Sequence, residues 1–171
     1  MKRAAVILLS CALNVVFSVS GAWCGAVSSP APTWELYDLN GTERRLEEWR
    51  GKWILMKLGT THCPNCSAEL EEMAKIKDQI QALGVQVLDI YLREKKWNIQ
   101  RYLEKVNVDF KPTVLYDSRG SLISDYGVSI IPHLVLVDPE GDIAWQGEFT
   151  PADELLKVME AKIRAGSATA K

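Results

Sequence analysis

The sequence predicts an α/β fold with a mixed central sheet and helices on both of its faces. Two observations carry that expectation. Short apolar runs with strand character alternate with segments of helical periodicity, and the series closes on a strand–turn–strand hairpin followed by a helix. A third observation bounds the size. Of 171 residues, all but an N-terminal targeting segment are available for one domain with one core, and no internal repeat divides them.

The chain starts Met1-Lys-Arg3 and continues into an apolar run broken only by Asn14 and a few serines. Small residues at Ser20-Gly-Ala22 suit a cleavage site, so residues 1–22 read as a secretory signal peptide. Cys24-Gly-Ala26 would move cleavage as late as residue 26. The apolar stretch is nearly long enough to remain as an uncleaved membrane anchor, which is the alternative. Residues 23–33 read as a linker, 34–165 as the domain and 166–171 as a disordered tail.

Within the domain, Trp34-Glu-Leu-Tyr-Asp-Leu39 alternates as an edge strand would, and Asn40-Gly41 signals a hairpin. Leu46-Glu-Glu-Trp49 reads as one helical turn ended by Gly51, and Trp53 to Gly59 as a buried strand. From Pro64 the apolar positions Leu70, Met73, Ile76, Ile80 and Leu83 share a helix face that Gly84 ends. Val85 to Tyr91 is a strand, Lys96 to Val106 a helix and Pro112 to Tyr116 a short extended piece. Leu134 to Val137 and Ile143 to Trp145 flank the turn Asp138-Pro-Glu-Gly141. Thr150-Pro-Ala-Asp153 then starts a helix with a cap and a proline at its first position.

The formal net charge is −2, and removing residues 1–22, which hold Lys2, Arg3 and no acid, leaves a more acidic remainder. Arg44-Arg45 and Lys95-Lys96 are isolated pairs, so nucleic-acid binding is disfavoured. Four cysteines are present. Cys11 leaves with a signal peptide and Cys24 lies at its edge, so the domain's own pair is Cys63 and Cys66. Such a domain is no disulfide-stapled scaffold despite export.

Cys63-Pro-Asn-Cys66 follows a strand and opens a helix. The N-terminus of a helix carries partial positive charge and free N–H groups, which favour a thiolate over a thiol. A cysteine there can fall from a pKa of about 8.5 into the range of roughly 3.5–7.5, and a second cysteine one turn on can resolve a mixed disulfide. A structural zinc site would need a second ligand pair at finger spacing, and a haem attachment would need His where Ser67 stands. A purely structural bridge over so short a loop would restrict the unfolded chain by only about 2 kcal/mol. The motif reads as a dithiol–disulfide exchange site that needs no cofactor.

With motif and element order in place, the chain resembles the thioredoxin fold. Within that fold it is similar to the secreted TlpA/ResA-like thiol–disulfide oxidoreductases of the redoxin superfamily, over about Ala31 to Arg164. The segments that carry the likeness are Ala31 to Gly41, Leu46 to Lys52 and Tyr126 to Gly141. The resemblance implies a three-layer α/β/α arrangement with an N-terminal hairpin extension and a central insertion. It also implies that Pro132 is a cis-proline facing the cysteines and that the Ile131–Pro132 backbone positions an incoming peptide strand.

Departures from that family are as informative as matches. His62 stands where the family usually has Trp. Lys57 stands where an acidic or amide residue is common, and the alignment brings Asp89 beside it as a charge-swapped pair that would tune the cysteine pKa values together with His62. Glu69 falls at a position where the family often has Glu, although on an amphipathic helix a solvated side chain is as good a reading. His62 and His133 are the chain's two histidines. They permit an alternative, a copper- or zinc-binding chaperone module built on Cys63, Cys66, His62 and His133. A thiol peroxidase is suggested by Thr60 and opposed by Met56, which replaces the upstream proline of peroxiredoxins.

The expectation is thus an exported thiol–disulfide oxidoreductase, periplasmic or otherwise extracytoplasmic. Its partners by resemblance are protein disulfide clients and a membrane thiol reductase as electron donor, and cytochrome c maturation is one process that it could serve.

Overall fold

The computed structural model describes residues 29–169. The proposed signal peptide and most of the proposed linker lie outside them. Among the described residues, eight strands form one sheet: β1 (Ser29–Pro30), β2 (Glu35–Asp38), β3 (Glu43–Arg45), β4 (Ile54–Gly59), β5 (Gln86–Leu92), β6 (Thr113–Asp117), β7 (His133–Val137) and β8 (Asp142–Gly147). The helices are α1 (Pro64–Lys75), α2 (Lys77–Ala82), α3 (Lys96–Leu103), α4 (Ser121–Asp125) and α5 (Ala152–Thr169), with a 3-10 turn at Leu46–Trp49.

The strand order is β1-β8-β7-β4-β5-β6-β2-β3. β4, β5 and β6 run parallel, joined by helical crossovers, while β7 and β8 on one side and β2 and β3 on the other are antiparallel additions. This is a thioredoxin-like α/β fold. β2 is not the sheet edge that its alternation suggested. It pairs with both β6 and β3, and β3 is outermost.

β4 is buried along its whole length, as expected of a central strand covered on both faces. Its residues still divide by parity. Ile54, Met56 and Leu58 join the core that includes Trp34, Trp49, Leu122 and Tyr126. Leu55 joins the opposite core with Met73, Ile80, Leu155 and Met159, which belong to α1, α2 and α5. Full burial of each such side chain stabilises the fold by roughly 1.5–3 kcal/mol. Lys57 and Gly59 share the parity of Leu55 and therefore face α1.

The helix expected from Pro64 to Leu83 is broken at Ile76, which has φ −116° and ψ 20°. The apolar face survives the break because Met73, Ile76 and Ile80 all remain in one core. α4 was not anticipated. The buried Asp117 carboxylate accepts N–H bonds from Gly120 at 2.7 Å and Leu122 at 2.9 Å, and thereby starts it. α5 runs to Thr169, past Gly166, where an irregular tail was expected to begin. Trp53 covers Gly166 there, within 3.2 Å of where a Cβ would stand. Ser29 and Pro30, read as linker, pair with β8 instead.

Candidate active site

β4 delivers the chain to Gly59, the loop Thr60-Thr-His62 follows, and Cys63 caps α1 with Pro64 in the first turn. Proline costs nothing there because its missing N–H would have had no intrahelical partner. Cys63 and Cys66 are joined as a disulfide with Cα atoms 5.2 Å apart. Cys63 is half-buried, whereas Cys66 is 2% exposed. The backbone N–H of Cys66 points at Cys63 Sγ from 3.0 Å. After reduction the same donor and the helix N-terminus would favour a thiolate on Cys63.

The Ile131–Pro132 bond is cis. The Ile131 carbonyl lies 3.7 Å from Cys63 Sγ, and Pro132 is buried just before β7. The structure thus brings Cys63, Ile131 and Pro132 to one place. Ile130, next along, is exposed at the same wall.

A buried polar cluster lies on the α1 side of the sheet. The parallel register sets Lys57 opposite Asp89 and Gly59 opposite Tyr91. Lys57 Nζ donates to Asp89 Oδ1 at 2.5 Å, and the Tyr91 hydroxyl donates to Asp89 Oδ2 at 2.8 Å. Lys57 and Asp89 are 2% and 1% exposed. Burial, reinforced by the Asp89 charge, pushes the Tyr91 hydroxyl pKa far above its ordinary value, so it stays a donor. A Cβ at Gly59 would stand 2.8 Å from Cys66 Sγ and 3.8 Å from Lys57 Nζ. The ammonium and the buried sulfur therefore border the same small gap.

Glu69 belongs to this cluster and is fully buried, so the solvated reading of it is corrected. It lies three residues after Cys66, on the face that also carries Leu70 and Met73. Oε2 accepts the N–H of Thr150 at 2.8 Å, while Oε1 has no partner among the described residues. Burial raises its pKa to about 7, against the opposing effects of the Thr150 hydrogen bond and the Lys57 charge.

Glu94 was not anticipated. It lies two residues past the end of β5, and its carboxylate is nearly buried. Oε1 accepts from the Thr61 N–H at 3.0 Å and the Thr61 hydroxyl at 2.7 Å, and lies 3.5 Å from His62 Nδ1. The available signal was topological: the ends of adjacent parallel strands bring residues 61 and 94 together, which spacing along the chain cannot show.

The two histidines are not gathered about the cysteines. His133 pairs across the sheet with Leu58, shares the parity of Val135 and Val137, and so lies on the face away from Gly59 and Cys66. Its Nε2 is 2.8 Å from Gln146 Oε1. Among the described residues, no group of three or more His, Cys, Asp or Glu side chains could hold a metal ion. No helix among them is long and apolar enough to cross a membrane.

Residues 27–146 match the AhpC/TSA family. The thiol-disulfide oxidoreductase ResA of Geobacillus thermodenitrificans is 31% identical over 118 residues, 69% of this chain and 67% of that one. The ResA protein of Bacillus subtilis is 28% identical over 148 residues, 84% of this chain and 80% of that one. A crystal structure from Chlorobium tepidum, assigned as a thiol:disulfide interchange protein DsbE, superposes with a TM-score of 0.70 at 26% identity. It covers 80% of this chain and 96% of its own.

Proposed function

The chain belongs to the AhpC/TSA family and is a thiol–disulfide oxidoreductase, and we propose that it reduces protein disulfides outside the cytoplasm. The observation that carries this reading is the asymmetry of the pair. Cys63 is accessible, stands at a helix N-terminus and receives a backbone N–H, while Cys66 is enclosed beside Lys57. Cys63 is then the nucleophile that attacks a client disulfide, and Cys66 is the resolving thiol that attacks the mixed disulfide.

Ile131 and Pro132 form the wall against which a client strand lies, offering backbone groups rather than side chains. Lys57 and Asp89 tune the buried cysteine. The ammonium favours the Cys66 thiolate, and Asp89 offsets part of that effect. The signal-like N-terminus supports an extracytoplasmic site, with protein disulfides as substrates and a membrane thiol reductase restoring the dithiol. Cytochrome c maturation is one process such a reductant would serve.

The test is a pair of cysteine variants. Cys66→Ser should accumulate mixed disulfides with client proteins in the periplasm, and Cys63→Ser should lose turnover altogether. Normal disulfide reductase activity in Cys63→Ser would refute the assignment.

A further inference from the structure

We infer that His62 is the proton donor to the departing client thiolate, and that Glu94 is the positioning residue that holds it ready; this rests on the disulfide reductase reading above. The inference comes from the proton inventory of one small cluster. The Thr61 hydroxyl has one proton, and its 2.7 Å contact with Glu94 Oε1, which can only accept when ionised, consumes it. Thr61 Oγ1 also lies 3.0 Å from His62 Nδ1. With its proton given to Glu94, the hydroxyl can only accept there, so Nδ1 carries the hydrogen. The neutral ring is then the Nδ1–H tautomer, and Nε2 is the atom that gains and loses a proton.

The surroundings of the ring fit that role. The His62 side chain is 83% exposed, whereas that of Glu94 is 6% exposed. Among the described residues, His62 is the one basic side chain within ion-pair distance of Glu94, and the two form an ion pair when the ring is protonated. Asn98 Nδ2 approaches the other carboxylate oxygen at 3.4 Å, and the Thr61 N–H holds the first at 3.0 Å, so the carboxylate is fixed from several directions. One residue before Cys63, the exposed ring thus has its Nδ1 side anchored to Thr61 and Glu94, which leaves Nε2 as the nitrogen that this cluster does not engage.

The steps balance as follows. The Cys63 thiolate attacks one sulfur of the client disulfide, forming the mixed disulfide, and the electron pair of the broken S–S bond leaves on the other client sulfur. That sulfur takes the proton from Nε2 of the His62 imidazolium. Nε2 is reprotonated from water. The Cys66 thiolate then attacks Cys63 Sγ, and the second client sulfur departs and is protonated in the same way. The protein's two thiolates become the disulfide, and the client disulfide, with two protons drawn from water through His62, becomes a dithiol.

The test compares leaving groups. Reduced full-length protein, His62→Gln and Glu94→Gln are each mixed with two probes near pH 6.5. One is a cystine-containing peptide, whose alkyl thiolate needs a proton. The other is 5,5′-dithiobis(2-nitrobenzoate), whose aromatic thiolate leaves without one. His62→Gln should slow the peptide reaction by about 10-fold, at the low end of general acid catalysis, and leave the aromatic disulfide within about 2-fold. Glu94→Gln, which keeps acceptors for Thr61 but loses the charge, should show the same selectivity to a smaller degree. If His62→Gln slows both probes equally, it acts through the Cys63 thiolate; if it slows neither, it is a bystander. Either result overturns the inference. Failure of the unaltered protein to reduce either probe would instead defeat the reductase reading itself.

Discussion

Gly59 lies directly beneath Cys66, so close that a Cβ at position 59 would stand 2.8 Å from the sulfur and 3.2 Å from Cys66 Cβ. The parity of β4 turns position 59 toward α1, and α1 begins so soon after the strand that its first turn sits on it. Glycine is required here for the close approach. While the disulfide is closed, Cys66 Sγ is tethered and cannot swing aside, whereas the free thiol can change rotamer.

Gly59→Ala should therefore destabilise the oxidised protein by about 1–3 kcal/mol, the usual cost of overpacking, and the reduced protein by less. Denaturant melts of the two forms measure the difference. A preferential loss from the oxidised form makes the disulfide more oxidising, by about 30 mV for each 1.4 kcal/mol. Equal losses in both forms would show that backbone distortion, rather than the sulfur contact, sets the cost.

Lys57→Met should lower the reduction potential, because it removes a cation that favours the thiolate-bearing reduced state. Burial strengthens an effect that a surface site would screen. Each pKa unit corresponds to about 1.4 kcal/mol, so a shift of roughly 30–60 mV is expected in equilibration with glutathione. The single variant also strands the buried Asp89 carboxylate, at a cost of about 3–5 kcal/mol. Lys57→Met/Asp89→Leu removes both charges and should recover most of that stability. An unchanged potential in a folded double variant would show that the pair serves packing and not the dithiol.

The sequence revealed what lies along one element and concealed what joins two. The burial of β4, the cysteines at the start of α1 and the proline before β7 all follow from local pattern and resemblance. Glu69 was half legible. Residues 66, 69, 70 and 73 fall on one helical face, and that spacing argues for burial, but a carboxylate ordinarily stays in water unless something holds it. Its partner is the N–H of Thr150, on a loop that precedes α5 and is distant in sequence. Glu94 was illegible for a related reason, since its value depends on the register of β4 against β5. The hidden break at Ile76 and the extra helix α4 reflect the same limit. The Asp117 carboxylate that caps α4 reads in sequence as an ordinary turn residue.

The last prediction follows from Glu69. Its folded pKa of about 7 is raised from the ordinary value of 4.5, chiefly by burial. Folding therefore favours the neutral acid. The stability associated with that form is fully present below about pH 4.5, declines as pH rises and is lost once pH passes about 7. A shift of this size corresponds to roughly 3–4 kcal/mol. Glu69→Gln keeps an oxygen for the Thr150 N–H and carries no charge at any pH. The variant should match the unaltered protein at pH 4 and exceed it by about 3 kcal/mol at pH 8 in denaturant unfolding. Parallel stability profiles across that window would mean that the carboxylate ionises freely in the folded protein, because the Lys57 ammonium and the Thr150 hydrogen bond together offset its desolvation.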